Sequence, residues 1–558
     1  MCALNPWLYS QGFYVLTGEY MEGISAAKST AQTEKPKRKS VLIQALTRGV
    51  KLLFNKAFYV LFSMLLQILW WGLLFVVLAA YSPYITIAAV AASILAVLTI
   101  VNKYMNPSYK LAWSITILAI PVFGLTLYLL LGKSRIQAKM EQRFEMLQKE
   151  GKDYLKESSE VREELEAADT SVSHQSAYIT SYAGYPVYRN TSAEYFQIGD
   201  DMFPVLVNEL EKAKKYIFIE YFIINDGVMW RTILDILEKK AKEGVDVRLI
   251  YDGFGCLSTL PVGYYKKLEK KGIKCGVFNP FRPILNVVFN NRDHRKICVI
   301  DGWTGFTGGI NLSDEYINRK ERFGRWKDTA VMLKGEAVRN MTVMFLRMWN
   351  VVMKENRPID YESFAPIKTG FGTTPPSGYV QPFSDSPLDH ESVAENIYLN
   401  IINRAKKYVY ICSPYLIIDN EMITALTLAA KSGVDVRIMT PGIPDKKLTF
   451  LLTQSYYEQL LQAGVKIYAY RPGFLHAKSF VCDDEIAVVG TINLDYRSLY
   501  LHFEDGVWMY KNTVLEEIKK DFTDNLNVCN QVSLEFCRDR KWPVKVMQSL
   551  LRLVAPIM

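Results

Sequence analysis

The sequence predicts an α/β protein made of two halves related by a pseudo-twofold, each with a central mixed sheet, preceded by an α-helical transmembrane region. Three observations predict it. The text His294-Arg295-Lys296-Ile297-Cys298-Val299-Ile300-Asp301, continued by Gly308-Gly309-Ile310-Asn311, returns as His476-Ala477-Lys478-Ser479-Phe480-Val481-Cys482-Asp483, continued by Gly490-Thr491-Ile492-Asn493. The segments ahead of each copy are paired too: 213–226 with 405–420, 242–253 with 431–442, and 270–278 with 462–470. Uncharged apolar runs precede both copies.

In chain order, residues 1–56 form a polar leader carrying the basic run Lys35-Pro36-Lys37-Arg38-Lys39, and are expected to be disordered. Met21 opens a more ordinary leader, so the start is left open between Met1 and Met21, the first twenty residues being a start-site artefact on the second reading. Residues 57–134 are expected to hold transmembrane helices. The run 58–80 is long enough to cross a bilayer, and further runs cover 84–101 and 111–131, the last interrupted by Pro121 and Gly124. Arg48, Lys51 and Lys56 precede the first run and Lys133, Arg135 and Lys139 follow the third, so both flanks favour the cytoplasmic side. Two full crossings satisfy both flanks and three do not, which implies that one of the later runs stops short. The protein is therefore expected in the cell membrane as a multi-pass protein, its catalytic part facing the cytoplasm.

Residues 135–184, rich in Lys, Glu, Gln and Arg, suit a solvated helical linker. The two halves are expected over 185–356 and 387–540. Each reads helix, strand, helix, strand, short helix, strand and then a hairpin carrying the H-x-K text. The first half has an extra loop before His294, whose Phe281, Pro283, Leu285, Val287, Val288 and Phe289 suit either a lipid contact or a packed loop. Residues 357–386 have the Pro and Gly content of a linker. Residues 541–558 alternate basic and apolar, as in either an amphipathic helix lying on a membrane or a docked terminal helix.

Both copies of the repeat read H-x-K-x4-D-x6-G-[GT]-x-N, and the chain has only five histidines. On a strand, residues two apart share a face, so His and Lys of each copy point the same way. An imidazole can attack or be protonated near neutral pH, and a Lys ammonium and an Asn amide are donors for an anionic oxygen. Two such sets facing each other supply one His to attack phosphorus and one to protonate the leaving oxygen. Lys296, Asn311, Lys478 and Asn493 are the candidate phosphate ligands, and they supply the charge neutralisation a metal gives elsewhere. No carboxylate cluster with metal spacing accompanies the motif, so neither a metal nor a cofactor is expected.

The duplicated H-x-K-x4-D text resembles the phospholipase D superfamily. FTGGINLSDEY (306–316), RWKDT (325–329), GTINLDYRSLYLHFE (490–504) and the 106–134 stretch are similar to the bacterial cardiolipin synthases, a resemblance covering roughly residue 80 to the C-terminus. It implies phospholipase D-like α/β(α) halves and a phosphatidyltransferase. In that reaction His294 attacks the phosphorus of phosphatidylglycerol while His476 protonates the departing glycerol. The hydroxyl of a second phosphatidylglycerol, activated by His476, then displaces the phosphatidyl-histidine to give cardiolipin. The nucleophile's identity rests on the resemblance, because the repeat makes the two roles interchangeable. A histidine nucleophile needs its other ring nitrogen held by a carboxylate; Asp328 is expected to orient His294, and Glu504 to orient His476. Asp301 and Asp483 complete the signature and stand with the catalytic candidates, although their parity along the strand, opposite to His and Lys, reads as structural.

A net charge of +9, from 66 Lys and Arg against 57 Asp and Glu, favours an anionic partner, expected to be phosphatidylglycerol in an anionic membrane. It lacks the concentrated basic stripe that tracks a nucleic-acid backbone, so no nucleic acid is expected. The eight cysteines form no C-x-x-C pair, and Cys298 and Cys482 read as small buried thiols. Phospholipase D hydrolysis, another phosphatidyl transfer and a non-catalytic scaffold binding anionic lipid are the competing readings. A scaffold needs the Lys and Asn but not two histidines. Oligomeric state is left open.

Overall fold

The computed structural model describes residues 83–103, 105–131, 135–151, 153–280, 291–355 and 357–557, with short stretches between 65 and 77. The basic leader, most of the first apolar run and the apolar loop 281–290 lie outside the described residues. The chain divides into two compact units: residues 1–104, 113–130 and 282–285 in one, and 105–112, 131–281 and 286–558 in the other.

In the first unit the run 84–101 forms the helix Pro83–Val101, with Ile87, Leu95 and Leu98 exposed. The run 111–131 is not one helix. It breaks into Pro107–Ala119 and Pro121–Leu131, because Pro121 has no N–H to continue the ladder. Gly124 then lies against the carbonyl of Thr116, where any Cβ would collide, so the break folds the chain closely on itself. Among the described residues no helix is long and apolar enough to cross a membrane. The expected multi-pass arrangement is thus not carried by the described helices.

The second unit is built on two sheets. Strands β1 (Thr191–Phe196), β2 (Tyr216–Tyr221), β3 (Asp246–Asp252), β4 (Lys274–Phe278), β5 (Arg292–Asp293), β6 (Lys296–Ile300), β7 (Thr304–Gly308) and β8 (Ala330–Gly335) come first. They are followed by β9 (Tyr379–Asp385), β10 (Tyr408–Cys412), β11 (Leu416–Ile417), β12 (Asp435–Pro441), β13 (Lys466–Tyr470), β14 (Ser479–Cys482), β15 (Ile486–Gly490), β16 (Leu494–Asp495), β17 (His502–Tyr510) and β18 (Cys529–Gln531). One sheet runs β1-β8-β7-β6-β2-β3-β4; the other runs β9-β17-β15-β14-β10-β12-β13-β18, so the same order is built twice. In both, three parallel strands (β2, β3, β4 and β10, β12, β13) join an antiparallel meander, the mixed sheet the repeat predicts.

The parallel strands are apolar almost throughout because helices cover both faces: β2 is buried at every residue. Phe218 on β2 stacks on Phe345 with centroids 4.5 Å apart, and Phe480 on β14 stacks on Tyr398 at 3.9 Å. Cys298 and Cys482 are buried free thiols on β6 and β14.

Two expectations about connections are corrected. The stretch 357–386 is not linker to its end: Tyr379–Asp385 is β9, paired antiparallel along β17 as β1 is along β8. Its Pro382 removes one N–H, which an edge strand tolerates. Nor is 135–184 a solvated linker, since Leu147, Leu155, Leu165, Val172 and Ile179 are buried, and Phe144 of the helix Arg135–Glu150 stacks on Phe503 at 5.0 Å.

Candidate active site

The β6–β7 turn places the first motif. Asp301 sits there at φ 50° with Gly302 following at 66°, and its carboxylate accepts the backbone N–H groups of Lys214, Lys215 and Tyr216 at 2.7–2.9 Å. Asp483, at φ 56°, does the same for Lys406, Lys407 and Tyr408 at 2.6–2.8 Å. Both aspartates therefore pin a hairpin turn to the start of the neighbouring strand. Neither reaches the histidines, which corrects their place among the catalytic candidates.

His294 and His476 lie just ahead of β6 and β14 and are held by the opposite half. The His294 N–H donates to the Phe503 carbonyl at 2.9 Å, as β5 pairs in parallel with the start of β17. The His476 N–H donates to the Lys327 carbonyl at 2.7 Å, beside the Lys327–Leu475 bridge. The residue after each of those carbonyls is an acid, so the carboxylates arrive crossed. His294 Nδ1 lies 2.9 Å from both oxygens of Glu504, and His476 Nδ1 lies 2.7 Å from Asp328 Oδ2. The expected pairing, each acid with the motif nearest before it in sequence, is thus exchanged. Both carboxylates are completely buried.

The acids are themselves positioned. A Cβ on Gly309 would collide with the Asp328 carboxylate, so that motif glycine makes room for the acid. At the matching position Thr491 donates its hydroxyl to Glu504, filling the same space with a hydrogen bond.

Lys296 Nζ donates to the His294 carbonyl at 2.5 Å, and Lys478 Nζ donates to the His476 carbonyl. Asn311 accepts from the Ile223 N–H at 3.0 Å and donates to the Tyr316 hydroxyl at 2.8 Å. Asn493 donates to Ser498 at 3.1 Å, while its buried Oδ1 has no hydrogen-bond partner. Aromatic rings wall the histidines: Phe222 stands 5.0 Å from His294, and Tyr316 and Trp326 stand 5.5 and 5.9 Å from His476.

One electrostatic field covers both motifs. Burial holds His294 well below the usual imidazole range, and Lys296, Lys478 and His476 add to the lowering; His476 is lowered by burial and by both lysines. Burial brings Lys296 down to about 8 and Lys478 to about 7, and pushes Asp328 up to about 7. Burial thus disfavours the charged forms of both histidines, both lysines and Asp328, and an arriving phosphate monoanion would restore the lysines and favour one imidazolium.

His502, without a counterpart in the repeat text, was not singled out from sequence. Its side chain is nine-tenths buried, its ring lies 5.6 Å from that of His294, and Nδ1 is 3.6 Å from Glu504 Oε1. Neither of its ring nitrogens has a hydrogen-bond partner. The signal available was its place two residues before Glu504, where the first half has Trp326 two residues before Asp328. Among the described residues, His294, His502 and Glu504 are the group whose ligand atoms, all within 4.8 Å of one another, could hold a metal ion.

Comparison with known proteins identifies the family. Residues 206–349 and 398–526 match the family described as cardiolipin synthase, PLD-like domain, and residues 91–133 match phospholipase D-nuclease N-terminal. An uncharacterized protein of Streptococcus mutans is 48% identical over 83% of this chain and 99% of its own length. Cardiolipin synthases of Halalkalibacterium halodurans and Clostridium perfringens are each 34% identical, over 86% and 81% of this chain and 94% and 95% of theirs. Among solved structures, phosphatidylserine synthase of Haemophilus influenzae superposes with a TM-score of 0.52 at 15% identity, over 68% of this chain and 97% of its own. Two H-x-K hairpins on one duplicated α/β sheet order, with relatives aligned along most of their length, place this chain in the phospholipase D-like cardiolipin synthase family.

Proposed function

We propose that this protein is a cardiolipin synthase that transfers a phosphatidyl group from one phosphatidylglycerol to another. The observation that carries the reading is the pair of buried histidines, each with Nδ1 on a carboxylate. Nδ1–H held by a carboxylate fixes the tautomer with a basic Nε2 and stabilises the imidazolium that forms. One imidazole attacks phosphorus and its counterpart protonates the glycerol oxygen as the P–O bond breaks. The phosphatidyl-histidine is then displaced by the hydroxyl of a second phosphatidylglycerol, whose proton returns to the counterpart histidine. Lys296 and Lys478, with the Asn311 and Asn493 amides, would neutralise the non-bridging oxygens, most strongly in the transition state. Asp328 and Glu504 are positioning residues for the imidazoles.

The chain would work at a membrane, with the apolar runs ahead of residue 134 as its anchor and the catalytic half-pair on the cytoplasmic side. The C-terminal helix Trp542–Val554 supports a bilayer contact. Trp542, Val546, Met547, Leu550, Leu553 and Val554 are exposed and cover one arc of about 140° at the helical 100° per residue, while Leu551 and Gln548 face the protein. Lys541 and Lys545 lie outside that arc, suited to anionic head groups.

The test is to give the purified protein phosphatidylglycerol in mixed micelles and identify the lipid products and released glycerol. Cardiolipin and glycerol in equal amounts are expected. Phosphatidic acid as the main product makes the protein a hydrolase, and no turnover makes it a lipid-binding scaffold. His294→Ala and His476→Ala should each abolish cardiolipin formation.

A further inference from the structure

His294 and His476 are seated alike, but their seats are braced by different parts of the molecule. The residue just before each orienting acid carries the seat. Phe503 takes the His294 N–H on its carbonyl and leads into Glu504, and Lys327 takes the His476 N–H and leads into Asp328. A shift of either residue therefore moves the backbone partner and the carboxylate of one imidazole together.

Lys327 is braced by charge from within the duplicated part. Its Nζ donates to the two oxygens of Asp521 at 2.9 and 2.7 Å and to the Gln197 carbonyl, and Asp521 also accepts the Tyr195 hydroxyl at 2.7 Å. Lys327, Asp521 and Tyr195 are all buried, so salt screens this pair little.

Phe503 has no charge to anchor. Its buried ring is held by contacts alone: Phe144 stacks on it at 5.0 Å with 26° between the planes, Phe278 meets it edge-on at 5.6 Å, and the Arg295 guanidinium lies 5.7 Å from its centroid. Phe278 and Arg295 belong to the first half. Phe144 comes from the helix Arg135–Glu150, which precedes both halves and follows the helix Pro121–Leu131 in the chain. That helix has a seat of its own, since Leu147 is fully buried and Arg143 Nε donates to Asn350 Oδ1 at 3.1 Å. Phe144 itself is partly exposed, a cover over Phe503 rather than a core residue.

We propose that Phe144 is a positioning residue for His294: its ring fixes Phe503, and through Phe503 the carbonyl and the Glu504 carboxylate that set the imidazole. The helix that follows the apolar segments is thereby built into one side of the active site. A reacting group misplaced by about 1 Å costs on the order of 100-fold in rate, so a small slackening of this stack is felt at His294. His476 keeps its ion-pair brace and stays in place. The effect on turnover rests on the transferase reading; the effect on the ring does not.

The test uses the full-length protein and two readouts. In Phe144→Ala, kcat for cardiolipin formation should fall about tenfold or more with KM within about twofold, as for a misplaced reacting group. The ring nitrogen resonances of His294 should shift in 15N NMR of labelled histidine, with those of His476 unmoved. Phe144→Tyr, which keeps a stacking ring, should restore both, and Asp521→Asn should shift His476 instead of His294. His294 resonances unmoved in Phe144→Ala overturn the proposal, as do equal shifts of both histidines, which mark a general loosening. If the wild-type protein makes no cardiolipin, the transferase reading fails on its own, and the resonances still decide the role of Phe144.

Discussion

Glu504 holds His294 from 210 residues away, with Nδ1 2.9 Å from both carboxylate oxygens, while Asp328 does the same for His476 across 148 residues. Each imidazole is thus built by one half and oriented by the other. Glu504→Gln should perturb the ring nitrogen resonances of His294 and leave those of His476 in place, and Asp328→Asn should do the reverse, read by 15N NMR of labelled histidine. Each variant should lose on the order of 100-fold in kcat or more, the range of a mispositioned acid–base group.

Asp301 and Asp483 predict a different phenotype. Each carboxylate satisfies three backbone N–H groups at a left-handed turn, and charge-assisted bonds of this kind contribute about 1–3 kcal/mol apiece. Asp301→Ala should lower the melting temperature by several degrees or more, whereas kcat per folded molecule should stay within about threefold of wild type. A large loss of kcat with an unchanged melting temperature would return these residues to the chemistry.

The pH dependence of stability follows from Asp328. Its folded pKa, pushed by burial to about 7, lies above the unfolded value of 3.8, so the folded state keeps a proton that the unfolded state releases across that window. Stability is therefore lost as pH rises from about 4 to 7, by at most about 4 kcal/mol at 1.36 kcal/mol per unit. Asp328→Asn removes the ionisation, so its melting temperature relative to wild type should rise between pH 5 and pH 8. Activity should fall in the same variant. A gap that shrinks with rising pH would contradict the assignment.

Lys296 and Lys478 stand where a metal would otherwise neutralise phosphate, so chelator should leave turnover unchanged. Added zinc should inhibit by occupying His294, His502 and Glu504, and His502→Asn should weaken that inhibition. Activity lost to chelator and restored by a divalent ion would overturn the charge-neutralising role given to the lysines.

The exposed arc of the terminal helix predicts depth-dependent labelling. An environment-sensitive fluorophore on Leu550→Cys should shift to the blue on phosphatidylglycerol vesicles, and the same label on Lys545→Cys should shift little. Equal responses would mean that the helix does not lie with this face in lipid.

Much of the fold and site is legible in the sequence for one reason: duplication. Six motif positions agreeing at identical spacing single out His294, Lys296, His476 and Lys478, and the paired flanking segments give the sheet order twice. Local text does not carry what depends on the halves meeting. Asp328 and Glu504 stand out as acids after each motif, but which imidazole each serves is decided by the β5–β17 pairing and the Lys327–Leu475 bridge, contacts between distant residues. β9 was hidden by its proline and by the glycine-rich run before it, because a strand stabilised by pairing with β17 needs little propensity of its own. His502 was missed because the repeat draws attention to what is shared, whereas its interest lies in what the first half lacks.

The exchange of acids between halves also governs when the protein becomes chemically competent. During synthesis the first imidazole emerges long before residue 504, and until then it is a solvated, loosely oriented ring with no carboxylate behind it. A chain that ends before residue 504 therefore lacks the carboxylate behind His294, and the oriented pair of imidazoles is complete only once the whole polypeptide has closed on itself.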